Sequence, residues 1–232
     1  MSFQAYQRML RLNSAFRKLT SGEKVTTTAF DSGYDSLSGF NHGFRTVFGK
    51  VPSQSKRKNV ITITRFVTPL GPMFACASDQ GICLLEFTNR RMLETEFKDL
   101  SNRLNAVILP GDNEHLQSVR KEIQEYFEGV RTSFSVPLHT PGSPFQQKVW
   151  SSLQSIPFGE TISYKDLAQH MGLPKAVRPI ASANACNRIS IIIPCHRVLR
   201  TSGDLGGYGG GLPRKKWLIE FEKQQASQID HS

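Results

Sequence analysis

Cys195 and His196 are neighbours in the stretch Pro194-Cys195-His196-Arg197, directly after the apolar run Ile191-Ile192-Ile193. That run reads as a buried core strand, and a thiol that follows a core strand and a proline is held in a fixed place. A free cysteine has a pKa near about 8.5, and only the thiolate is strongly nucleophilic. An adjacent imidazole lowers that barrier by taking the proton, directly or through one water. The imidazole then needs its other nitrogen held, commonly by a carboxylate. Glu220 and Glu222 lie on the last predicted helix, Lys215 to about Lys223, and either can return to this point. A cysteine beside a surface histidine also occurs with no chemistry at all, so the pair needs company. As metal ligands the two are poor candidates, because neighbours in an extended chain point to opposite faces.

Downstream, Leu205-Gly206-Gly207-Tyr208-Gly209-Gly210-Gly211 is a glycine-rich loop. It lacks the lysine spacing of a phosphate-binding loop and does not match the dinucleotide fingerprint. It reads instead as a loop whose bare backbone lets a flat ligand approach closely.

The elements that must carry these residues follow from patterning. The spacing predicts a helix over 3–20, with Tyr6, Met9, Leu10 and Phe16 on its apolar side and Arg8, Arg11, Arg17 and Lys18 between them. A second helix, Val25 to Phe30, turns at Asp31-Ser32-Gly33 into a third, about Ser36 to Phe48. Two short helices joined by a glycine turn suggest a helix-turn-helix. Residues 53–58 read as a polar linker. From Asn59 the texture becomes β-branched, with a strand at Val60–Thr64 and a hairpin of Phe74–Ser78 and Ile82–Phe87 about Asp79-Gln80-Gly81. A helix near 91–104, a strand at 106–109, a helical stripe from Leu116 to Phe127 and a last strand at 133–138 complete a small α+β unit with no catalytic spacing. Beyond Thr140-Pro141-Gly142, Ser143 is an N-cap with Pro144 at the first helical position. Ser163 caps another helix, with Asp166 as its capping-box partner, and a further helix runs from Lys175 to about Ala185. Residues 163–185 form a second helix-turn-helix, capped at both ends.

Bulk properties narrow the class. The 232 residues fit two or three small domains, and 38% hydrophobic with 21% charged residues is ordinary for a globular chain. No run of 18 apolar residues exists, so no membrane span is expected. The basic, amphipathic N-terminus lacks the apolar core and cleavage site of a secretory signal, although a mitochondrial presequence shares this pattern; the cytosol is the expected location. Cys76, Cys83, Cys186 and Cys195 include no CxxC pair, which argues against a structural zinc site or redox dithiol and for free thiols. The net charge is +10. Residues 1–60 and 143–232 are net basic and residues 61–142 mildly acidic. Such basic segments attract phosphate backbones, but they also serve as ordinary solvated surface.

The stretches FGETISYKDLA, AVRPIASANACN, IIIPCHRV and GGYGGGLPRKKWLIEFE resemble the C-terminal domain of O6-alkylguanine-DNA alkyltransferases. IPCHRV is that family's active-site signature, and motif order and spacing agree over residues 143–223. Residues 59–139 resemble the family's N-terminal domain, and residues 3–52 the second helix-turn-helix of AraC-type regulators, as in Ada-like proteins. The resemblance implies an α+β fold. A helix-turn-helix segment at 1–52 and the linker at 53–58 would precede a ribonuclease H-like α/β domain at 59–139. A winged-helix-like catalytic domain would follow at 143–226. It implies that Cys195 accepts the alkyl group and His196 deprotonates it through a water, with Glu222 orienting His196 and Glu220 merely adjacent. Asn187 would tie the DNA-binding helix to the active site, Arg178 would enter the duplex where the base leaves, and Tyr164 would hydrogen-bond and polarise or protonate the guanine. Tyr208 would cover the flipped base, and Lys215 would belong to the active-site cluster. Any base contacts of the first helix-turn-helix would come from Ser36, Ser38, Asn41, His42 and Arg45.

The activity implied is irreversible, single-turnover repair of O6-alkylguanine (and O4-alkylthymine) in double-stranded DNA. No metal, cofactor, membrane or obligatory protein partner is implied, and the protein is expected to be a monomer. An O6-alkyl group is hidden inside the duplex, so the nucleotide must be turned out into a pocket. The zinc-cysteine domain and first helix-turn-helix of Ada-like proteins have no counterpart in the sequence. The expectation is therefore a repair enzyme with an auxiliary DNA-binding arm. The alternative is a regulator that reads Cys195 alkylation as a signal. Alkyltransferase-like proteins without transfer activity lack the cysteine that is present here.

Overall fold

The computed structural model describes residues 11–229, apart from 13, 17, 20, 49–51 and 53–58. Tyr6, Met9, Leu10 and the linker lie outside the described residues. Helical residues between 11 and 19 lead through Gly22, in the left-handed region, to α1 (Val25–Asp31) and α2 (Leu37–Phe48). The turn between α1 and α2 falls at Gly33, whose φ of +73° suits glycine. Ser36 caps α2 by accepting from the Gly39 amide.

The sheet follows: β1 (Asn59–Thr68), β2 (Gly71–Ser78), β3 (Gly81–Phe87) and β4 (Ala106–Pro110), in the order β3-β2-β1-β4. β1 runs antiparallel to β2 and parallel to β4, with α3 (Leu93–Arg103) as the crossover. Strand alternation sorts the side chains into two faces. Ile61, Cys76, Leu84 and Ala106 pack against Leu93 and Leu100 of α3. On the other face Met73, Ala75, Leu85 and Phe87 meet α4 (Glu114–Phe127) and the C-terminal domain in one continuous apolar cluster that extends to Leu218. Leu109, flanked by Val60 and Val107, is covered by Leu12, Phe16, Phe40 and Phe44, so the N-terminal helices dock on the sheet.

The C-terminal domain holds α5 (Pro144–Gln154), β5 (Ile162–Ser163), α6 (Tyr164–His170), α7 (Val177–Ala185), β6 (Val198–Leu199) and α8 (Leu212–Ile229). Ser143 and Gln146 form a full capping box on α5. Ser163 caps α6 by accepting from the Asp166 amide, while the Asp166 carboxylate accepts a hydrogen bond from the Ser163 hydroxyl rather than closing the box on backbone.

Two predicted strands are absent. Residues 133–138 pair with the sheet only through a bridge from Leu138 to Ile82. Pro137 has no amide to donate, and the amides of Ser135 and Val136 are taken by the Glu122 carboxylate instead of a ladder. Ile191–Ile193 is a buried turn: Ile191 sits at φ +74°, which a strand does not allow. The last helix is also longer than expected at both ends.

Candidate active site

Strand β3 has an open edge, and the C-terminal domain covers it. The Leu85 amide donates to Arg188 O and the Ser190 amide to Leu85 O, each at 2.8 Å. This two-bond splice is the point from which the chain turns through 191–194 to the cysteine. Asn187 stiffens the turn from beneath: its Nδ2 donates to Ile193 O at 2.9 Å and its Oδ1 accepts from the Ile189 amide at 3.0 Å. Burial of Ile191 and Ile193 holds a backbone that the β-branched side chain at Ile191 disfavours. Cys195–Arg197 then forms one 3₁₀ turn. The extended geometry expected for Cys195 and His196 is thus replaced by a tight turn.

His196 is fully buried, and its Nε2 lies 2.8 Å from Glu222 Oε1 on α8. The same carboxylate accepts from Arg197 Nε (2.7 Å), Arg197 Nη2 (3.0 Å) and the Tyr126 hydroxyl (2.8 Å). Burial alone would raise the Glu222 pKa; His196 and Arg197 outweigh it and bring the carboxyl down to about 2. Burial lowers the His196 pKa, with Glu222 opposing. A neutral imidazole facing an ionised carboxylate carries its proton on Nε2. That leaves the buried Nδ1, which has no hydrogen-bond partner among the described residues, as the basic nitrogen.

A cavity of about 560 Å³ opens beside Cys195, lined by Tyr164, Ala181, Ala185, Arg90 and the loop backbone at 206–209. The Tyr164 hydroxyl accepts from Asn184 Nδ2 at 2.9 Å, which leaves its own proton to donate. Burial raises the Tyr164 pKa, so it keeps that proton through neutral pH. α7 lies along the cavity, tied down by Trp150 Nε1 donating to Ala183 O at 2.9 Å. Arg178 is exposed on α7 and precedes Ala181 and Ala185 at helical spacing, so it extends the cavity-lining face by one turn. The aromatic ring of Tyr208 stands 6.5 Å from that of His196.

Burial pushes the Cys195 thiol up to about 11; Asn187, Arg90 and Lys215 pull it back and Glu86 opposes them. A resting thiolate is therefore scarce at neutral pH, and reaction requires a base at the moment of attack. Lys215 is fully buried and donates to Val198 O at 2.6 Å and to Leu205 O. Burial brings its pKa down to about 8. The lysine fastens the strand after the cysteine to the start of the glycine-rich loop.

Of the residues singled out from sequence, Cys195, Tyr164 and Tyr208 converge on the cavity. His196, Glu222, Asn187 and Lys215 are buried behind the cysteine turn without lining the cavity, and Arg178 is exposed on α7 one turn before the lining residue Ala181. Glu220 is exposed, 3.7 Å from Lys216, and faces away from the histidine. Asn41 and Arg45 are exposed on α2, as are Ser36, Ser38 and His42, and none lines the cavity. Sequence reasoning missed Tyr126, whose hydroxyl is hidden in an apolar stripe, and Arg90, which no motif marks. Arg197 stood inside the IPCHRV motif without a role.

Comparison with known proteins accords with this geometry. Residues 61–140 match the 6-O-methylguanine DNA methyltransferase ribonuclease-like domain, residues 144–224 the DNA-binding domain of the same enzymes, and residues 1–58 a helix-turn-helix domain. The methylated-DNA–protein-cysteine methyltransferase of Mycobacterium tuberculosis is 42% identical over 68% of this chain and 90% of its own. The crystal structure of Mycobacterium tuberculosis OGT in complex with DNA superimposes with a TM-score of 0.61 and 34% identity, over 72% of this chain and 94% of that one. The bifunctional transcriptional activator/DNA repair enzyme Ada of Escherichia coli is 32% identical over 97% of this chain, which spans 64% of Ada's length. The chain belongs to the methylated-DNA–protein-cysteine methyltransferase family and carries a helix-turn-helix segment ahead of the transferase.

Proposed function

We propose that the protein repairs DNA by moving the alkyl group of an O6-alkylated guanine, or an O4-alkylated thymine, onto Cys195, once per molecule, alongside the chromosome in the cytosol. The observation that carries this reading is a cavity walled by Cys195 and Tyr164, with an oriented His196–Glu222 pair behind the thiol. The sulfur–carbon bond forms as the carbon–O6 bond breaks. The thiol proton passes to His196 Nδ1, directly or through one water, and Tyr164 donates to the departing guanine. His196 then returns a proton to Tyr164, so the net movement is of the thiol proton to the departing guanine. The thioether product has no good leaving group, so nothing regenerates Cys195. Glu222 orients the imidazole, Asn187 holds the turn, and Lys215 holds the loop that carries Tyr208 over the extruded base. Arg178, from the rim of α7, fills the place the base vacates. Insertion from a helix in the minor groove offsets unstacking by enlarging the contact.

Intact-mass spectrometry after incubation with excess O6-methylguanine duplex tests the reading. One added methyl group, on the Cys195 peptide, and no transfer by Cys195→Ala are expected. A second turnover, or a methyl on Cys76, Cys83 or Cys186, contradicts it.

Because burial lowers the His196 pKa, the base stays unprotonated through neutral pH. Transfer should be level near pH 7 and fall only below the ordinary histidine value of about 6.5. His196→Ala should be slower by about 10²–10⁴-fold. Its residual rate should climb about tenfold per pH unit as the scarce thiolate becomes the reactant. A wild-type rate, or a flat profile, in that variant refutes the base role.

Arg178→Ala should impair transfer from duplex DNA strongly and from free O6-alkylguanine little, since the free base needs no extrusion. Equal losses on both substrates assign Arg178 to the fold or the pocket instead.

A second reading, regulation of transcription in response to alkylation, is favoured by one observation: the exposed face of α2 presents Asn41 and Arg45 on the helix-turn-helix segment. If that face neutralises phosphates, Arg45→Ala should reduce the salt dependence of DNA binding by about 0.9 in log–log slope for each phosphate left unneutralised, with the transfer rate at saturating DNA unchanged. An unchanged slope takes Arg45 out of the interface.

A further inference from the structure

Arg90 stands just beyond β3, with its side chain 4% exposed, in the wall of the Cys195 cavity. Its guanidinium reaches three elements at once. Nη1 donates to Glu86 Oε1 on β3 at 2.7 Å, and Nη2 lies 2.8 Å from Glu96 Oε1 on α3. Nη2 also donates to Ala185 O, the last residue of α7, at 3.1 Å. Glu86 is itself held by the Ser190 hydroxyl at 2.8 Å, on the splice that leads to the cysteine. Burial pushes Glu86 up to about 8 against the pull of Arg90, so this pair is costly to bury. Such a pair would be dispensable if it only filled core volume.

On the cavity side the guanidinium meets the glycine-rich loop. A Cβ on Gly209 would fall 2.6 Å from Arg90 Cζ and closer still to its Nη1. The Gly209 backbone is not in the left-handed region, so conformation does not demand glycine there; space does. The blocking atom ends a long side chain, but that end is pinned by two carboxylates and a carbonyl and cannot swing aside. One guanidinium thus meets both the C-terminal end of α7, through Nη2, and the loop backbone at Gly209, through Nη1 and Cζ.

We propose that Arg90 is a positioning residue for alkyl transfer: it sets the gap between α7 and the 206–211 loop, the two walls between which the extruded base must sit. The inference rests on the alkyl-transfer reading above. It separates Gly209 from the other loop glycines, because Gly209 is needed only while Arg90 occupies the space opposite.

A double-mutant cycle on the full-length protein tests this, read as the single-turnover rate with duplex and with free O6-benzylguanine. Arg90→Met is made together with Glu86→Gln, so that no Arg-deprived carboxylate remains at position 86. Gly209→Ala in the wild type should slow transfer from both substrates, by up to about 10²-fold for a displacement near 1 Å. Glu86→Gln/Arg90→Met should also be slow, with thermal unfolding still cooperative. Adding Gly209→Ala to that background should cost less than about twofold, because the obstruction is gone. Equal cost of Gly209→Ala in both backgrounds, or wild-type transfer by Glu86→Gln/Arg90→Met, overturns the proposal. Should that background not fold, Arg90→Lys replaces it. Lysine keeps a charge over Glu86 but not the planar fork, so Gly209→Ala must again cost less than in the wild type, and an undiminished cost overturns the proposal. A wild-type protein that transfers nothing overturns the alkyl-transfer reading, whereas transfer with additive losses overturns this inference alone.

Discussion

The Glu222 carboxylate is the interaction on which the rest of the site depends. It is 1% exposed, yet it stays ionised because His196, Arg197 and Tyr126 all donate to it. Those donors come from the 3₁₀ turn of the nucleophile and from α4, while the acceptor comes from α8. One buried charge therefore joins the sheet domain, the catalytic turn and the C-terminal helix. Its pKa of about 2 lies below the roughly 4.3 of an unfolded glutamate. The cluster thus stabilises the fold above the unfolded value and loses that contribution as pH falls toward 2. Arg197 is a second donor to the same carboxylate and, unlike the imidazole, stays charged, so Glu222 keeps a cationic partner when His196 is neutral.

This arrangement resolves an apparent conflict. A nucleophile is expected to have a depressed pKa, but burial leaves Cys195 near 11. The thiol therefore rests protonated, and the thiol is the weaker nucleophile of its two forms. On the proposed reading, its activation is deferred until an alkylated base fills the cavity and His196 accepts the proton as the bond to carbon forms. A protein that is consumed by each transfer gains from such restraint, since adventitious alkylation would also be irreversible.

Much of the site was legible in the sequence because it is local or motif-borne. Pro194-Cys195-His196-Arg197 places a thiol beside an imidazole, and the structure sets both at the cavity turn; capping residues such as Ser143 and Ser163 mark their helices by spacing alone. What was misread depended on distant partners. Ile191–Ile193 has the composition of a strand, but Asn187 and the splice to β3 hold it as a turn, with Ile191 in the left-handed region. Residues 133–138 look extended, yet Glu122 on α4 takes their amides. Glu220 and Glu222 differ by two positions on a helix, and only packing decides which one turns inward. Tyr126 gave no local signal because its partner Glu222 lies far along the chain, and the local carboxylates Glu86 and Glu96 beside Arg90 do not reveal its contact with Ala185.

If this reading of the cluster holds, Glu222 fixes the tautomer of His196 so that Nδ1 is the acceptor. Nitrogen NMR of selectively labelled histidine tests it directly, with His196→Gln identifying the resonance. At pH 7 His196 should be neutral with its proton on Nε2, and Glu222→Gln should erode this preference as transfer slows. A His196 protonated on Nδ1 in the wild-type protein, or a tautomer indifferent to Glu222→Gln, would contradict it.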